Sequence, residues 1–236
     1  MFKGKKILCI IPARKNSKGI KNKNFKKING KPLIFYPIKA SLKSRFIDRI
    51  IFSSDSKIYQ KFAIKLGADS PFIRSKKLST DKTLTFDVLK DVLYRLNKNR
   101  FFYDIIVLLE PTSPFTTSQD IDNAIKIIVD KKFNSLVSVV DSSKFSIDFQ
   151  FKKQKNNLIK PLQKKNVHRR RQDVEKTLVL EGSIYISNVR DFLKNRGFIS
   201  NKTYGYELPK WKSIEIDDQH DLMLARLLYK IKKNEI

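Results

Sequence analysis

A run of cations and neutral hydrogen-bond donors follows directly on an apolar segment near the start of this 236-residue chain: Ile10-Ile11-Pro12-Ala13-Arg14-Lys15-Asn16-Ser17-Lys18-Gly19-Ile20-Lys21-Asn22-Lys23-Asn24. Arg14 offers a planar fork for bidentate phosphate contact, Lys18 and Lys23 offer point charges, and Asn16, Ser17 and Asn24 offer neutral donors. Backbone N–H groups in such a loop, Ala13 onward, can ring phosphate oxygens as well. A polyphosphate suits this chemistry; the competing reading is a solvated basic turn. A second pattern lies near the other end, in Lys212-Ser213-Ile214-Glu215-Ile216-Asp217-Asp218. Alternation there points the Glu215 and Asp217 carboxylates to one side and Ile214 and Ile216 to the other. Two hard oxygen ligands beside a phosphate site suit Mg²⁺ or Mn²⁺. Asp217 or Asp218 capping the following helix is the simpler alternative.

The elements that must carry these groups alternate between strand-like and helix-like, which predicts an α/β fold with a mostly parallel sheet. Ile7-Leu8-Cys9-Ile10-Ile11 is continuously apolar and β-branched, as a strand covered on both faces should be. The cationic loop therefore starts at a strand's carboxyl end, where open α/β sheets bind ligands. Segments 32–42, 56–66 and 84–98 read as helices, with a kink at Pro37 left open and a stop at Gly67. Arg49–Asp55, ending in small polar residues, Asp104–Leu109 and Leu136–Val140 read as further central strands. Asp104–Leu109 delivers Glu110-Pro111-Thr112-Ser113-Pro114, a stiff turn with two hydroxyls, to the same edge. A helix capped by Ser118 follows it. From 145 to 187 the pattern becomes period-2, with strands expected at Phe145–Phe151, Leu158–Leu162 and Thr177–Ser187; this reads as a β-rich insertion and a candidate dimer surface. A last helix begins after Asp218.

The formal charge is +27, but the lysines spread along the whole chain and no nucleic-acid recognition motif accompanies them. Specific nucleic-acid binding is therefore not expected, and the charge would steer small anionic substrates instead. No apolar stretch approaches the roughly 20 residues of a membrane span, and no cleavable leader is visible, so a cytoplasmic protein without a membrane partner is expected. The single cysteine, Cys9, sits in the first apolar run and leaves no thiolate metal site or disulfide.

The loop matches neither the P-loop nor the dinucleotide fingerprint. It resembles the I-P-A-R-x-x-S-K-G-[IL]-x-x-K-N segment of the cytidylyltransferases that make CMP-activated acidic sugars, above all the CMP-sialic acid (acylneuraminate) synthetases, and every fixed position is present. Further segments resemble that family in order. Phe72–Asp81 is similar to its R-P-x-x-L-x-x-D, Glu110–Pro114 to its L-[QE]-P-T-S-P, and Arg170-Arg171-Gln172-Asp173 to its R-R-Q-D. Glu181–Ile186 is similar to its N-G-A-I-Y-I, and Ser213–Asp217 to its S-[IL]-D-I-D. Three positions depart from the pattern: Thr116 stands where many members have arginine, Glu181 replaces asparagine, and Glu215 replaces aspartate.

The resemblance implies a Rossmann-like nucleotidyltransferase fold, a single domain over 1–236 whose β-rich insertion dimerises. It also implies an enzyme that transfers CMP from CTP to the anomeric hydroxyl of an acidic nine-carbon sugar for surface glycan synthesis, releasing pyrophosphate. CTP would contact Ala13, Arg14, Asn16, Ser17, Lys18, Lys23 and Asn24, with Arg74 and Thr85 at its cytosine end. The sugar would contact Glu110, Thr112, Ser113, Arg171, Gln172, Glu181 and Tyr185. Arg14, Lys23 and Asp217 would carry the chemistry, with Asp217 the firmer metal ligand and Glu215 its companion. Neither His168 nor His220 suits the role of base. A synthetase for CMP-Kdo is the nearest rival, but eleven residues separate Gly19 from Lys31 where that relative runs almost directly into P-G-K-P-L. A non-enzymatic basic module binding polyanions is the rival of a different class.

Overall fold

A computed structural model describes residues 1–163 and 170–232. Its strands and helices, in chain order, begin with β1 (Ile7–Pro12), a small hairpin of β2 (Lys27–Ile28) and β3 (Lys31–Pro32), α1 (Phe35–Lys43), β4 (Arg49–Ser53) and α2 (Lys57–Leu66). They continue through α3 (Thr85–Lys98), β5 (Ile105–Leu109), α4 (Ser118–Asp130), β6 (Ser135–Asp141) and a second hairpin of β7 (Phe151–Lys153) and β8 (Ile159–Pro161). The chain then forms β9 (Leu178–Asn188), α5 (Val189–Asn195), β10 (Thr203–Glu207) and α6 (Gln219–Lys232).

Six strands form one sheet in the order β10-β6-β9-β5-β1-β4. β1 pairs in parallel with β4 and β5, and β6 with β10, while β9 runs antiparallel between β5 and β6. The five parallel strands therefore share one carboxyl edge. Strand alternation splits the core: Ile7, Cys9 and Ile11 pack on one face with residues of α1, α2 and α4, and Leu8 and Ile10 on the other with residues of α3 and Phe192 of α5. Both faces of β1 are buried, as its unbroken apolar run requires.

A third apolar cluster lies outside the sheet. Ile20 from the first loop, Ile28 and Leu33 from the hairpin region, Phe115 after β5, Ile216 before α6, and Leu222 and Ala225 of α6 are all buried together. Phe115 also meets Trp211 edge to face, with ring centroids 5.9 Å apart. This cluster fastens the end of the chain to its beginning.

Several local expectations need correction. α1 begins at Phe35, and Pro32 belongs to the hairpin. Pro37 occupies the third helical position, where an N–H would have no intrahelical partner, so the helix continues past it. The cap of α4 is Thr117, which is extended and accepts from the Asp120 N–H; Asp120 reciprocates to the Thr117 N–H at 2.9 Å, and Ser118 is already helical. Phe145–Phe151 is not a strand. Two short 3₁₀ turns occupy Ser143–Phe145 and Ile147–Phe149, because Asp141 accepts from the Ser143 N–H (2.8 Å) and Ser146 Oγ from the Asp148 N–H (3.4 Å), bonds that compete with a ladder. The strand expected at Thr177–Ser187 is β9, a member of the central sheet rather than of the insertion. Truncating Ile216 to alanine should lower unfolding free energy by about 2–4 kcal/mol, read from urea denaturation.

Candidate functional site

The parallel strands deliver their following loops to a cavity of about 510 Å³ at the carboxyl edge of the sheet. β1 supplies Arg14, Ser17, Lys18, Gly19, Lys23 and Asn24; the segment after β4 supplies Arg74 and Asp81; β5 supplies Glu110 and Thr112; and the stretch before α6 supplies Glu215 and Asp217. Residues about 200 positions apart in the chain thus face one space.

Local hydrogen bonds hold the first loop. Ala13 N–H continues the ladder to the Ser53 carbonyl at 2.9 Å, Lys15 N–H donates to Asp55 at 2.8 Å, and the buried Asn24 side chain donates to the Arg14 carbonyl at 3.0 Å. Gly19 meets the terminal segment so closely that a Cβ there would overlap the Asp217 carbonyl oxygen. Gly182 plays a similar part on β9: its φ is +76° and a Cβ would sit 3.0 Å from Glu215 Oε2. The terminal segment is irregular and joins no sheet; Ile216 N–H donates to the Thr112 carbonyl at 2.9 Å. It is set at its start by Lys212, whose buried ammonium lies 2.5 Å from the buried Asp120 that also closes the α4 cap.

The cations already have acidic neighbours. Arg14 lies 2.5 Å from Asp81, Lys18 lies 3.5 Å from the same carboxylate, and Lys23 lies 2.8 Å from Asp217. The hydrogen bond from Arg14 holds Asp81 below the usual carboxylate range, with the charges of Arg14 and Lys18 adding to it. Arg74 is buried, and its Nε donates to Ser79 Oγ at 3.1 Å rather than to a carboxylate; burial pulls its guanidinium pKa down. Burial, with the Glu215 charge second, pushes Glu110 up to about 7 against the opposing pull of Lys23 and Arg74. Glu215 is likewise raised, by burial first and then by Asp217.

Arg14, Ser17, Lys18, Lys23, Asn24, Arg74, Thr85, Glu110, Thr112, Glu215 and Asp217, singled out from the sequence, all line this cavity. Others do not. Ala13 is buried beneath the loop, Asn16 points to solvent, and Ser113 is buried with its Oγ lacking a hydrogen-bond partner. Glu181 lines a second, neighbouring cavity, and Tyr185 is half-buried on β9, its phenol raised to about 12 by burial and by Glu110, Glu215 and Glu181. Gln172 is exposed in a 3₁₀ turn; the Arg171 side chain and His168 lie outside the described residues. Asp218, not Asp217, caps α6, accepting from the His220 and Asp221 N–H groups at 2.8 and 3.0 Å. The residue sequence reasoning missed is Asp81, whose only signal was its place at the end of the Arg74–Asp81 segment.

Among the described residues no three His, Cys, Asp or Glu side chains cluster as a metal cage. Glu215 and Asp217 are nonetheless the donor set Mg²⁺ uses when phosphate oxygens and water complete its shell.

A phosphate-suited loop and a facing acid pair thus meet at the carboxyl edge of a doubly covered, mostly parallel sheet. The chain belongs to the cytidylyltransferase family, whose sequence model matches residues 8–232. It is 32% identical to an N-acylneuraminate cytidylyltransferase of Streptococcus agalactiae over 92% of its own length, and it spans about half (52%) of that relative. It is 33% identical to a CMP-N,N'-diacetyllegionaminic acid synthase of Legionella pneumophila, covering 98% of this chain and 99% of that one. A solved CMP:2-keto-3-deoxy-manno-octonic acid synthetase complexed with CTP shares the fold at a TM-score of 0.70 and 16% identity, over 96% of this chain and 99% of the other.

Two outcomes follow. Glu110 has a folded pKa above its unfolded value, so the stability it contributes is full below about 4.5 and is lost as pH rises through about 7. Glu110→Gln should therefore match the parent near pH 4.5 and exceed it at pH 8, by up to about 3 kcal/mol in urea unfolding of the unliganded protein. Gly19→Ala should weaken CTP binding, measured by calorimetry, by at least about tenfold, because the first loop and the Asp217 backbone must separate to admit the methyl group.

Proposed function

We propose that the protein transfers CMP from CTP to the anomeric hydroxyl of an acidic nine-carbon sugar. The observation carrying this reading is the meeting of the Arg14–Asn24 loop with Glu215 and Asp217 around one cavity. The hydroxyl oxygen forms a bond to the α-phosphorus of CTP, the bond from that phosphorus to the β-phosphate oxygen breaks, and pyrophosphate leaves. Arg14, Lys18 and Lys23, with the loop's backbone, hold the triphosphate and offset the charge that builds on its oxygens. Arg74 and Thr85 hold the cytosine end; the buried Arg74 guanidinium has N–H groups to offer a base carbonyl. Glu110 lines the same cavity and exchanges its proton near neutrality, which suits it to accept the proton of the attacking hydroxyl. Asp217 and Glu215 would hold Mg²⁺ or Mn²⁺. Such an ion would supply positive charge to offset what develops on the leaving pyrophosphate.

The names of the Streptococcus and Legionella relatives support an N-acylated nonulosonic acid as acceptor, in preference to the Kdo of the more distant solved structure. Among the described residues no helix is long and apolar enough to cross a membrane, and a cytoplasmic enzyme feeding surface glycan synthesis fits this chemistry. The β7–β8 hairpin exposes Phe151, Ile159 and, beside them, Leu158 and Leu162; these support a homodimer closed through that region, with Arg171 and Tyr185 near the sugar. Pyrophosphate release from CTP with Mg²⁺ and a nonulosonic acid is the test. Arg14→Ala should lose at least about 100-fold in turnover with its circular dichroism unchanged. A basic module that only binds polyanions would release no pyrophosphate and would be indifferent to that change.

A further inference from the structure

Arg14 and Lys18 of the first loop share one partner. Asp81 Oδ1 lies 2.5 Å from Arg14 Nη1 and Asp81 Oδ2 lies 3.5 Å from Lys18 Nζ, so a single carboxylate spans both cations with a separate oxygen for each. Asp81 lines the nucleotide cavity together with Ser17, Lys18 and Gly19. A phosphate group held by the same two side chains would adopt the same arrangement, one anion bridging a guanidinium and an ammonium. Carboxylate and phosphate therefore draw on the same donors.

Asp81 is not fixed there by its own turn. The turn closes on itself without the carboxylate: Ser79 Oγ donates to the Ser75 carbonyl at 2.9 Å, Thr83 Oγ1 to the Lys77 carbonyl at 3.1 Å, and the Thr80 N–H to Thr83 Oγ1 at 3.2 Å. Its fastening to the sheet comes earlier, where the Arg74 N–H donates to the Ser54 carbonyl at 2.9 Å. The Asp81 side chain is 39% exposed, so it can turn to water and leave all of these bonds intact. What holds it is the pair of ion contacts, and partly exposed ion pairs are weak enough to yield to a multiply charged ligand. The other cations of the cavity differ. Lys23 is only 15% exposed and faces Asp217 on the terminal segment, and the buried Arg74 donates its Nε to Ser79 Oγ.

We propose that Asp81 is a built-in competitor for phosphate, occupying Arg14 and Lys18 in the place of a phosphate group and so weakening both the binding of CTP and the retention of pyrophosphate. The inference rests on the cytidylyltransfer reading and extends it to the strength with which substrate and product are held. A ligand that needs free cations meets only the fraction of molecules in which Asp81 has let go, and its apparent affinity falls by that fraction. Asp81 acts through Arg14 and Lys18 and is a positioning residue.

The test is calorimetric titration of the full chain with CTP, with pyrophosphate and with cytidine, each in the presence of Mg²⁺. Asp81→Asn should bind CTP and pyrophosphate about three- to tenfold more tightly than the parent, the range that two partly exposed ion pairs supply between them. Cytidine, which has no phosphate, should bind parent and variant alike. Asp81→Glu keeps the charge and should lie nearer the parent than Asp81→Asn does. In the pyrophosphate-release assay, added pyrophosphate should inhibit Asp81→Asn at a correspondingly lower concentration. Equal or weaker binding of CTP and pyrophosphate by Asp81→Asn, an equal gain for cytidine, or an Asp81→Glu variant that binds as tightly as Asp81→Asn would overturn the competition and leave the cytidylyltransfer reading standing. A parent protein that takes up no CTP would overturn both.

Discussion

Everything at this site depends on the terminal segment being held against the first loop. Neither segment belongs to the central sheet, so the sheet alone cannot fix their separation. Burial of Ile20, Phe115 and Ile216 in a cluster of their own supplies the attraction, and it is non-directional. Direction comes from polar contacts: the Ile216 N–H on the Thr112 carbonyl, the Lys23–Asp217 pair, and the buried Lys212–Asp120 pair that sets the turn before the acids. Two glycines permit the close approach, Gly19 against the Asp217 backbone and Gly182 against the Glu215 carboxylate. The outcome is a cavity whose cationic and acidic walls come from opposite ends of the chain.

That arrangement also explains why a protein of net charge +27 has a site of mixed sign. A loop of unopposed cations would repel itself; Asp81 and Asp217 offset that repulsion in the unliganded protein. Glu110 shows the other side of the balance, since a carboxyl buried near Glu215 keeps its proton to a higher pH. The scattered surface lysines add a long-range field that draws anions, whereas recognition rests on the few residues at the sheet edge.

The central sheet was legible in the sequence because buried parallel strands leave apolar runs, unbroken in β1 and β5 and interrupted only by Ser138 within Leu136–Val140 of β6. The cationic loop was legible because its residue types have little other use at a strand's end. What the sequence concealed was partnership across distance. Asp81 carries no local sign that it will bind Arg14, and Lys212 looks like one more surface lysine until Asp120 is found beneath it. The period-2 reading of Phe145–Phe151 failed because two side-chain acceptors, on Asp141 and Ser146, turn the backbone into short helical turns, which hydrophobic alternation cannot register. β9 was mistaken for part of the insertion because an antiparallel strand inside a parallel sheet shows the same alternation as a hairpin strand.

The central claim is that one nucleotide engages both ends of the chain at once, and amide hydrogen exchange reads this segment by segment. With CTP and Mg²⁺ added, exchange should slow together in residues 14–24 and in residues 213–218, at the same nucleotide concentration. Protection confined to one of these segments, or to neither, would contradict the account.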